Sequence, residues 1–481
     1  MRILFATSEA APLIKTGGLA DVSGALPAAL QALGADMRVL LPGYPQVLRA
    51  LPPMPIVAEF SNIPGFPASR LLSGQMPNGV PLWVLDCPEL FQRGGGPYQD
   101  EHGRDWADNA RRFGLLSKVA AILGCDESPM DWHPDVVQCN DWQTGLAPAY
   151  LHFSPNPAPS VMSIHNIAFQ GVFPSHLLPE LGLPWSCYQP DGVEYYNNLS
   201  FLKAGLFYAN HVTTVSPTYA REIQTDALGF GMQGLLRHRQ HELTGILNGI
   251  DYDEWNPATD HHLHSHYSAD DLSGKAANKA ELQRRMGLEV NPDIPLLGLV
   301  SRFTYQKGVE VILEIAPQLI EQPAQLVLLG SGDAGIQSWA QELAYRYPGQ
   351  IGVMVGFDEG LSHLIEAGSD LFLMPSRFEP CGLNQMYSQV YGTPPIVHAT
   401  GGLIDSVVDC SDATLADDTA SGFILHGLSA STLLDTVQRA LAAYRDPAVW
   451  QKIRQNGMRR DFGWSRSAEA YLAIYRQLTG A

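Results

Sequence analysis

The amino-acid sequence predicts an α/β protein made of two doubly wound, mostly parallel sheets in tandem. Three observations carry this expectation. Short apolar runs alternate with amphipathic helical stretches, the pattern of parallel sheets with helical crossovers. That series occurs twice, interrupted by the turn-rich segment Ile246-Leu-Asn-Gly-Ile-Asp-Tyr-Asp-Glu-Trp-Asn-Pro257. A chain of 481 residues also exceeds the size at which a single core keeps growing.

The first series opens with the strand-like run Arg2–Thr7, the loop Lys15-Thr-Gly-Gly-Leu-Ala-Asp-Val22 and a helix over 22–33. Further strands are expected at Asp36–Leu41, Pro81–Asp86, Asp135–Cys139 and Ser160–Ile164, with Pro/Gly-rich loops between and after the earlier ones. A helical stretch lies within 103–124, where Ala110, Phe113, Leu116, Val119, Ala120 and Leu123 recur at three- and four-residue spacing. Tyr208–Ser216 repeats the helix-to-strand pattern, and Pro217 starts a helix at a favoured first-turn position.

The second series has strands at Leu296–Ser301, Gln325–Leu329, Gly352–Val355, Asp370–Met374 and Pro395–Val397, with helices starting near Gly308, Asp333, Glu359 and Gly382. Helices following Gly422–Leu425 end with Ser465–Leu478. The domain boundaries expected are 1–248, 249–460 and a terminal helix in 461–481.

Composition narrows the function. The chain carries 30 Lys+Arg against 49 Asp+Glu, a net charge of −19. Such a surface disfavours nucleic acid and anionic membranes but leaves neutral polymers and small phosphorylated ligands open. No apolar run approaches a membrane span of ~18 residues. No targeting segment is evident, and six scattered cysteines without a C-x-x-C pair suit a reducing compartment, so a cytoplasmic location is expected.

In doubly wound sheets, ligands bind beyond the C-terminal ends of the strands. In the first series those ends carry the Lys15 loop, Asp141, His165 and Asn166. Gly17 and Gly18 allow close backbone approach, and the free N–H groups of the next helix attract anions. The loop fits neither G-x-G-x-x-G nor a P-loop, so a phosphate cradle and an ordinary turn both remain open. In the second series, Arg302 and Lys307 bracket a turn leading into a helix, a setting suited to a diphosphate. Glu379, in Ser376-Arg-Phe-Glu-Pro-Cys-Gly382, stands where a carboxylate can hold sugar hydroxyls, and Gly401-Gly402 echoes Gly17-Gly18.

Gly330-Ser-Gly-Asp-Ala-Gly335 does fit G-x-G-x-x-G. It opens the second unit of its series, however, whereas a dinucleotide fingerprint opens the first. His261, His262, His264 and His266 crowd one segment without zinc-type spacing or a nearby carboxylate motif; a solvated loop is expected, and no metal ligand is assigned.

Taken in order, Lys15–Val22, His165–Gly171 (HNIAFQG), Ile246–Asp251 (ILNGID), Ser301–Gly308 (SRFTYQKG) and Ser376–Gln385 with Thr400–Leu403 resemble the bacterial glycogen synthases and plant starch synthases, over nearly the whole chain. The resemblance implies a GT-B fold: two Rossmann-like domains facing across a deep cleft, with a C-terminal helix returning to the first. It implies a retaining transfer of glucose from ADP-glucose to the non-reducing end of glycogen or another α-1,4-glucan, without cofactor or catalytic metal. His165, Asp141, Arg302, Lys307 and Glu379 would then be catalytic. Lys15, Gly17, Gly18, Tyr98, Asn166, Asn248, Phe357, Gly382 and Leu383 would bind substrate. Asn384, Phe357 and His398 stand where the family often has Thr, Tyr and Arg, and Tyr387 where related transferases often have a second Glu. Another GT-B glucosyltransferase, a glucan phosphorylase and a non-catalytic nucleotide-sugar or glucan-binding protein are the competing readings.

Overall fold

The computed structural model describes residues 1–480, which fold as two α/β units. The first comprises Met1–Gly249 and the C-terminal helix Trp464–Thr479. Its strands are β1 (Arg2–Ala6), β2 (Asp36–Pro42), β3 (Ile56–Phe60), β4 (Ser69–Gln75), β5 (Pro81–Asp86), β6 (Val136–Asn140) and β7 (Ser160–Ile164). A small antiparallel ribbon follows, β8 (Val172–Pro174), β9 (Glu194–Tyr195) and β10 (Asn198–Ser200), and then β11 (His211–Thr214) and β12 (Leu243–Gly245). The main sheet runs β12-β11-β7-β6-β1-β2-β5-β4-β3.

All its strands run parallel except β4, which pairs antiparallel with both β5 and the edge strand β3. These two strands lie where the sequence suggests Pro/Gly-rich loops. At the edge, β3 exposes Ile56 and Val57 and lacks the continuous apolar run of a buried parallel strand. Helix α1 spans Gly18–Ala32 and so starts four residues before Val22, with Asp21 in its first turn, where a carboxylate complements the helix dipole. The C-terminal helix buries Tyr471, Leu472, Ile474 and Tyr475 and packs on α1. Its Tyr475 Oη donates to Gln138 Oε1 of β6 at 2.9 Å.

The second unit, Ile250–Gly463, holds β13 (Leu296–Val300), β14 (Gln325–Gly330), β15 (Ile351–Val355), β16 (Leu371–Met374), β17 (Pro395–His398) and β18 (Phe423–Leu425). They form one parallel sheet in the order β15-β14-β13-β16-β17-β18. Alternate side chains of each strand enter opposite cores: Leu297, Leu299, Leu326, Leu328, Leu371 and Leu373 on one face, Leu296, Val327, Leu329, Phe372 and Met374 on the other. A sheet covered on both faces needs apolar residues at every strand position, as the sequence provides. The helices named below are α2 (Val309–Ile320), α3 (Glu359–Gly368), α4 (Asn384–Val390) and α5 (Gly401–Ser406). No helix among the described residues is long and apolar enough to cross a membrane.

Each sheet reverses its strand order beside its first strand: β1 lies between β2 and β6, and β13 between β14 and β16. At such a switch point neighbouring loops diverge and leave a crevice. The polar residues singled out in the sequence follow β1, β6 and β7 in one unit, and β13 and β16 in the other.

Candidate active site

In the first unit, the loop after β1 wraps around a carboxylate of the chain itself. Buried Glu9 accepts the N–H groups of Thr16 at 2.6 Å and Gly17 at 3.1 Å, and it also accepts the Tyr98 hydroxyl. Burial raises its pKa, against the lowering effect of those hydrogen bonds. The Thr16 and Gly17 N–H groups are therefore already taken by a carboxyl group of the chain itself. Lys15 Nζ lies 2.7 Å from Asp21 Oδ1. Gly17 and Gly18 are exposed, and a Cβ on either would meet open space, so the backbone is accessible there.

Sequence reasoning missed Glu9. Its only local signal is an acid three residues beyond the end of a buried strand. Tyr98 also lies 2.8 Å from Ser8 Oγ and packs near Phe113 and Trp142, which fixes its ring.

Adjacent β6 and β7 bring Asp141 to His165. Asp141 Oδ1 accepts the backbone N–H of His165 at 2.7 Å, and the carboxylate also takes the N–H of Asn166. Burial nonetheless pushes the Asp141 pKa up to about 7, and the same burial pushes the His165 imidazole down to about 4. His165 Nε2 stands 3.0 Å from Asn140 Oδ1, while Asn140 Nδ2 donates to the Ala6 carbonyl at 2.9 Å. The second bond orients the amide, making Asn140 Oδ1 an acceptor. The neutral imidazole thus carries its proton on Nε2 and keeps a lone pair on Nδ1. Asn166 Oδ1 caps the Ala168 N–H at 3.1 Å, and Asn248 presents a buried carbonyl oxygen without a hydrogen-bond partner among the described residues.

In the second unit, the loops after β13 and β16 are bonded together. Arg377 N donates to the Gln306 carbonyl, Gln306 Nε2 donates to the Phe378 carbonyl, and the Arg377 guanidinium lies 3.4 Å over the Tyr305 ring. This pairing sets Lys307 Nζ 2.6 Å from Glu379 Oε2, which also accepts Ser376 Oγ at 2.9 Å. Both members of the ion pair are largely buried. Gly308, between Lys307 and α2, has φ +67°, and a Cβ there would stand 2.1 Å from the Pro375 carbonyl oxygen. Only glycine suits both the left-handed backbone and the close approach.

The remaining residues divide. Gly382 and Leu383 lead into α4 beside Glu379, and Asn384 Nδ2 donates to the Val300 carbonyl at 2.8 Å. His398 Nδ1 lies 2.8 Å from the Ser376 carbonyl. Arg302 is exposed and makes no ion pair among the described residues. Phe357 is 75% exposed. The Gly401-Gly402 pair is a correction: it does not repeat Gly17-Gly18. Added Cβ atoms would lie 1.8 Å from the Glu379 carbonyl oxygen and 2.1 Å from that of Cys381, so these glycines let α5 pack on the Glu379 loop.

Two such units in tandem, each with its polar cluster at a strand-order switch, are the architecture of GT-B glycosyltransferases. The catalytic domain of starch synthase IV from Arabidopsis thaliana, solved bound to ADP and acarbose, superposes with a TM-score of 0.86 at 32% identity, covering 100% of this chain and 99% of that one. A sucrose-phosphate synthase from Thermosynechococcus elongatus, at TM-score 0.60 and 18% identity, shares the fold. The sequence pattern of the starch synthase catalytic domain matches residues 2–238, and that of glycosyl transferases group 1 matches 283–454. A glycogen synthase of Nitrosospira multiformis is 58% identical over 99% of this chain and 97% of its own. One from Dechloromonas aromatica is 58% identical over 99% and 98%. The chain belongs to the glycogen and starch synthase family.

Proposed function

We propose that this protein transfers glucose from ADP-glucose to the non-reducing end of glycogen or another α-1,4-glucan with retention of configuration, in the cytoplasm and without nucleic-acid or membrane partners. The observation that carries the reading is the Lys307–Glu379 pair, a cation and a carboxylate fixed 2.6 Å apart at the switch point of a parallel sheet. The ADP-bound starch synthase relative supports an adenine nucleotide.

Breaking the bond between the anomeric carbon and phosphate builds charge on the departing diphosphate. Lys307 neutralises that charge, joined by Arg302, whose exposed side chain is available to turn toward an arriving anion. The N–H groups of Gly382 and Leu383 add to this set. Cations placed in advance stabilise the transition state more than the ground state. A hydrogen bond to a charged group contributes about 1.5–3 kcal/mol, roughly one to two decades in rate. Glu379 holds glucose hydroxyls, and the exposed Phe357 ring offers a face to the base.

In the first unit, the open Gly17-Gly18 backbone, Lys15, Tyr98, Asn166 and Asn248 are the groups assigned to substrate binding. His165 offers its Nδ1 lone pair to a sugar hydroxyl. Asp141 is committed to the backbone of the His165 loop, which supports front-face attack over double displacement through this carboxylate. In that route the acceptor hydroxyl gives its proton to the departing phosphate oxygen.

The test is chain elongation on a glycogen primer with ADP-glucose and UDP-glucose in parallel. Elongation with ADP-glucose is expected, lowered at least ~10-fold in Lys307→Ala and in Glu379→Gln. No elongation with either donor overturns the reading, and near-normal turnover in both variants overturns the site assignment.

A further inference from the structure

The segment just inside the second unit packs against α3 through a cluster that the transfer reaction does not use. His363 of α3 is fully buried, with its ring stacked on Trp255 at 3.8 Å. Its Nδ1 lies 2.7 Å from Asp260 Oδ2. The same carboxylate accepts Tyr391 Oη at 2.6 Å and the His262 N–H at 2.8 Å. An ionised carboxylate only accepts, so Nδ1 carries the proton and Nε2 of the neutral ring keeps its lone pair.

That Nε2 is buried and has no hydrogen-bond partner among the described residues. It faces Glu359 Oε1 at 3.6 Å, too far for a hydrogen bond. Glu359 stands one helical turn before His363, on the same face of α3. Glu254 completes the group, and the ligand atoms of all three residues lie within 4.8 Å of one another. An imidazole nitrogen and a carboxylate oxygen, each ~2.1 Å from a tetrahedral ion, are about 3.4 Å apart.

We propose that Glu254, Glu359 and His363 form a divalent-cation site, with Asp260 as the outer carboxylate that fixes the histidine tautomer. A buried imidazole with two carboxylates suits Zn²⁺ or a neighbouring first-row ion better than Mg²⁺ or Ca²⁺. The carboxylate–histidine–metal order is the one that orients metal-bound histidines generally. The ion's role is structural: it ties the segment around Trp255 to α3, apart from Lys307 and Glu379. In the histidine-rich stretch His261, His264 and His266 are exposed, as expected of a solvated loop, and the candidate ligand is His363, 103 residues beyond Asp260. The His262 ring, 4.6 Å from that of His363, lies alongside the site.

The test uses the untagged full chain, stripped with a chelator and titrated with Co²⁺ by its visible d–d absorbance, then with Zn²⁺ by competition. A single equivalent is expected to bind and to be displaced by Zn²⁺. Glu254→Gln and Glu359→Gln should each weaken Co²⁺ binding at least ~10-fold, with far-UV circular dichroism unchanged. His363→Ala also removes the stack on Trp255, so the carboxylate variants decide. Absence of stoichiometric Co²⁺ binding, or wild-type affinity in either Gln variant, overturns the proposal.

Discussion

Asp141 and His165 meet at the ends of neighbouring strands, and burial drives their titrations in opposite directions. Asp141 rises from 3.8 to about 7, so its contribution to stability is present below pH ~4 and is lost as pH climbs through 7. That span corresponds to about 4 kcal/mol. His165 falls from 6.5 to about 4, so its contribution is present above pH ~6.5 and is lost as pH drops toward 4, about 3 kcal/mol in all. Between those limits the two nearly cancel. Asp141→Asn should therefore gain stability relative to wild type as pH rises from 4 to 8, and His165→Gln should gain relative to wild type as pH falls from 6.5 to 4. Urea unfolding across that range checks both, and parallel profiles would show that neither group is buried as described. The residues placed in the proposed site were legible in the sequence as polar groups, since Lys307, Glu379, His165 and Asp141 all lie in segments that follow apolar strands. Glu9, Asn140 and Ser376 were not, because an acid, an amide or a hydroxyl acquires a role only from the partner it meets across the sheet.

The element that sets the geometry is the turn from β13 into α2. Gly308 combines φ +67° with an approach to the Pro375 carbonyl that leaves no room for a methyl group. Gly308→Ala must strain the backbone and push the two loops apart, at a cost of about 2–4 kcal/mol. Because Lys307 precedes this residue, turnover should fall at least ~10-fold along with stability. Unfolding midpoints and elongation rates read the two effects separately, and an unstrained Ala variant with full activity would refute the turn's role. At this scale the sequence was strong for buried parallel strands, whose continuous apolar runs are hard to mistake. It was weak for β3 and β4, where an exposed edge removes that signal, and for Gly401-Gly402, where a doublet that resembles a ligand loop serves to seat a helix.

Across the whole chain, the first unit is completed by residues from its far end. Tyr475 donates to Gln138 from 337 positions away, within a helix whose apolar face covers α1. Tyr475→Phe keeps the ring and leaves the buried Gln138 Oε1 without its donor, which should cost about 1–3 kcal/mol by urea unfolding. An unchanged midpoint would mean the amide finds another donor. The sequence by itself determined the two parallel sheets, the break between them, the family and the strand ends where polar residues collect. Those features follow from local periodicity and from motifs that lie within a few residues. Only the tertiary structure decided which of those residues meet: Lys307 with Glu379, Asp141 with the His165 loop, Glu9 with the glycine loop, and His363 with Glu359 and Glu254. Such pairings depend on strand order and burial, which bring together groups far apart in sequence and are written in no single stretch of the chain.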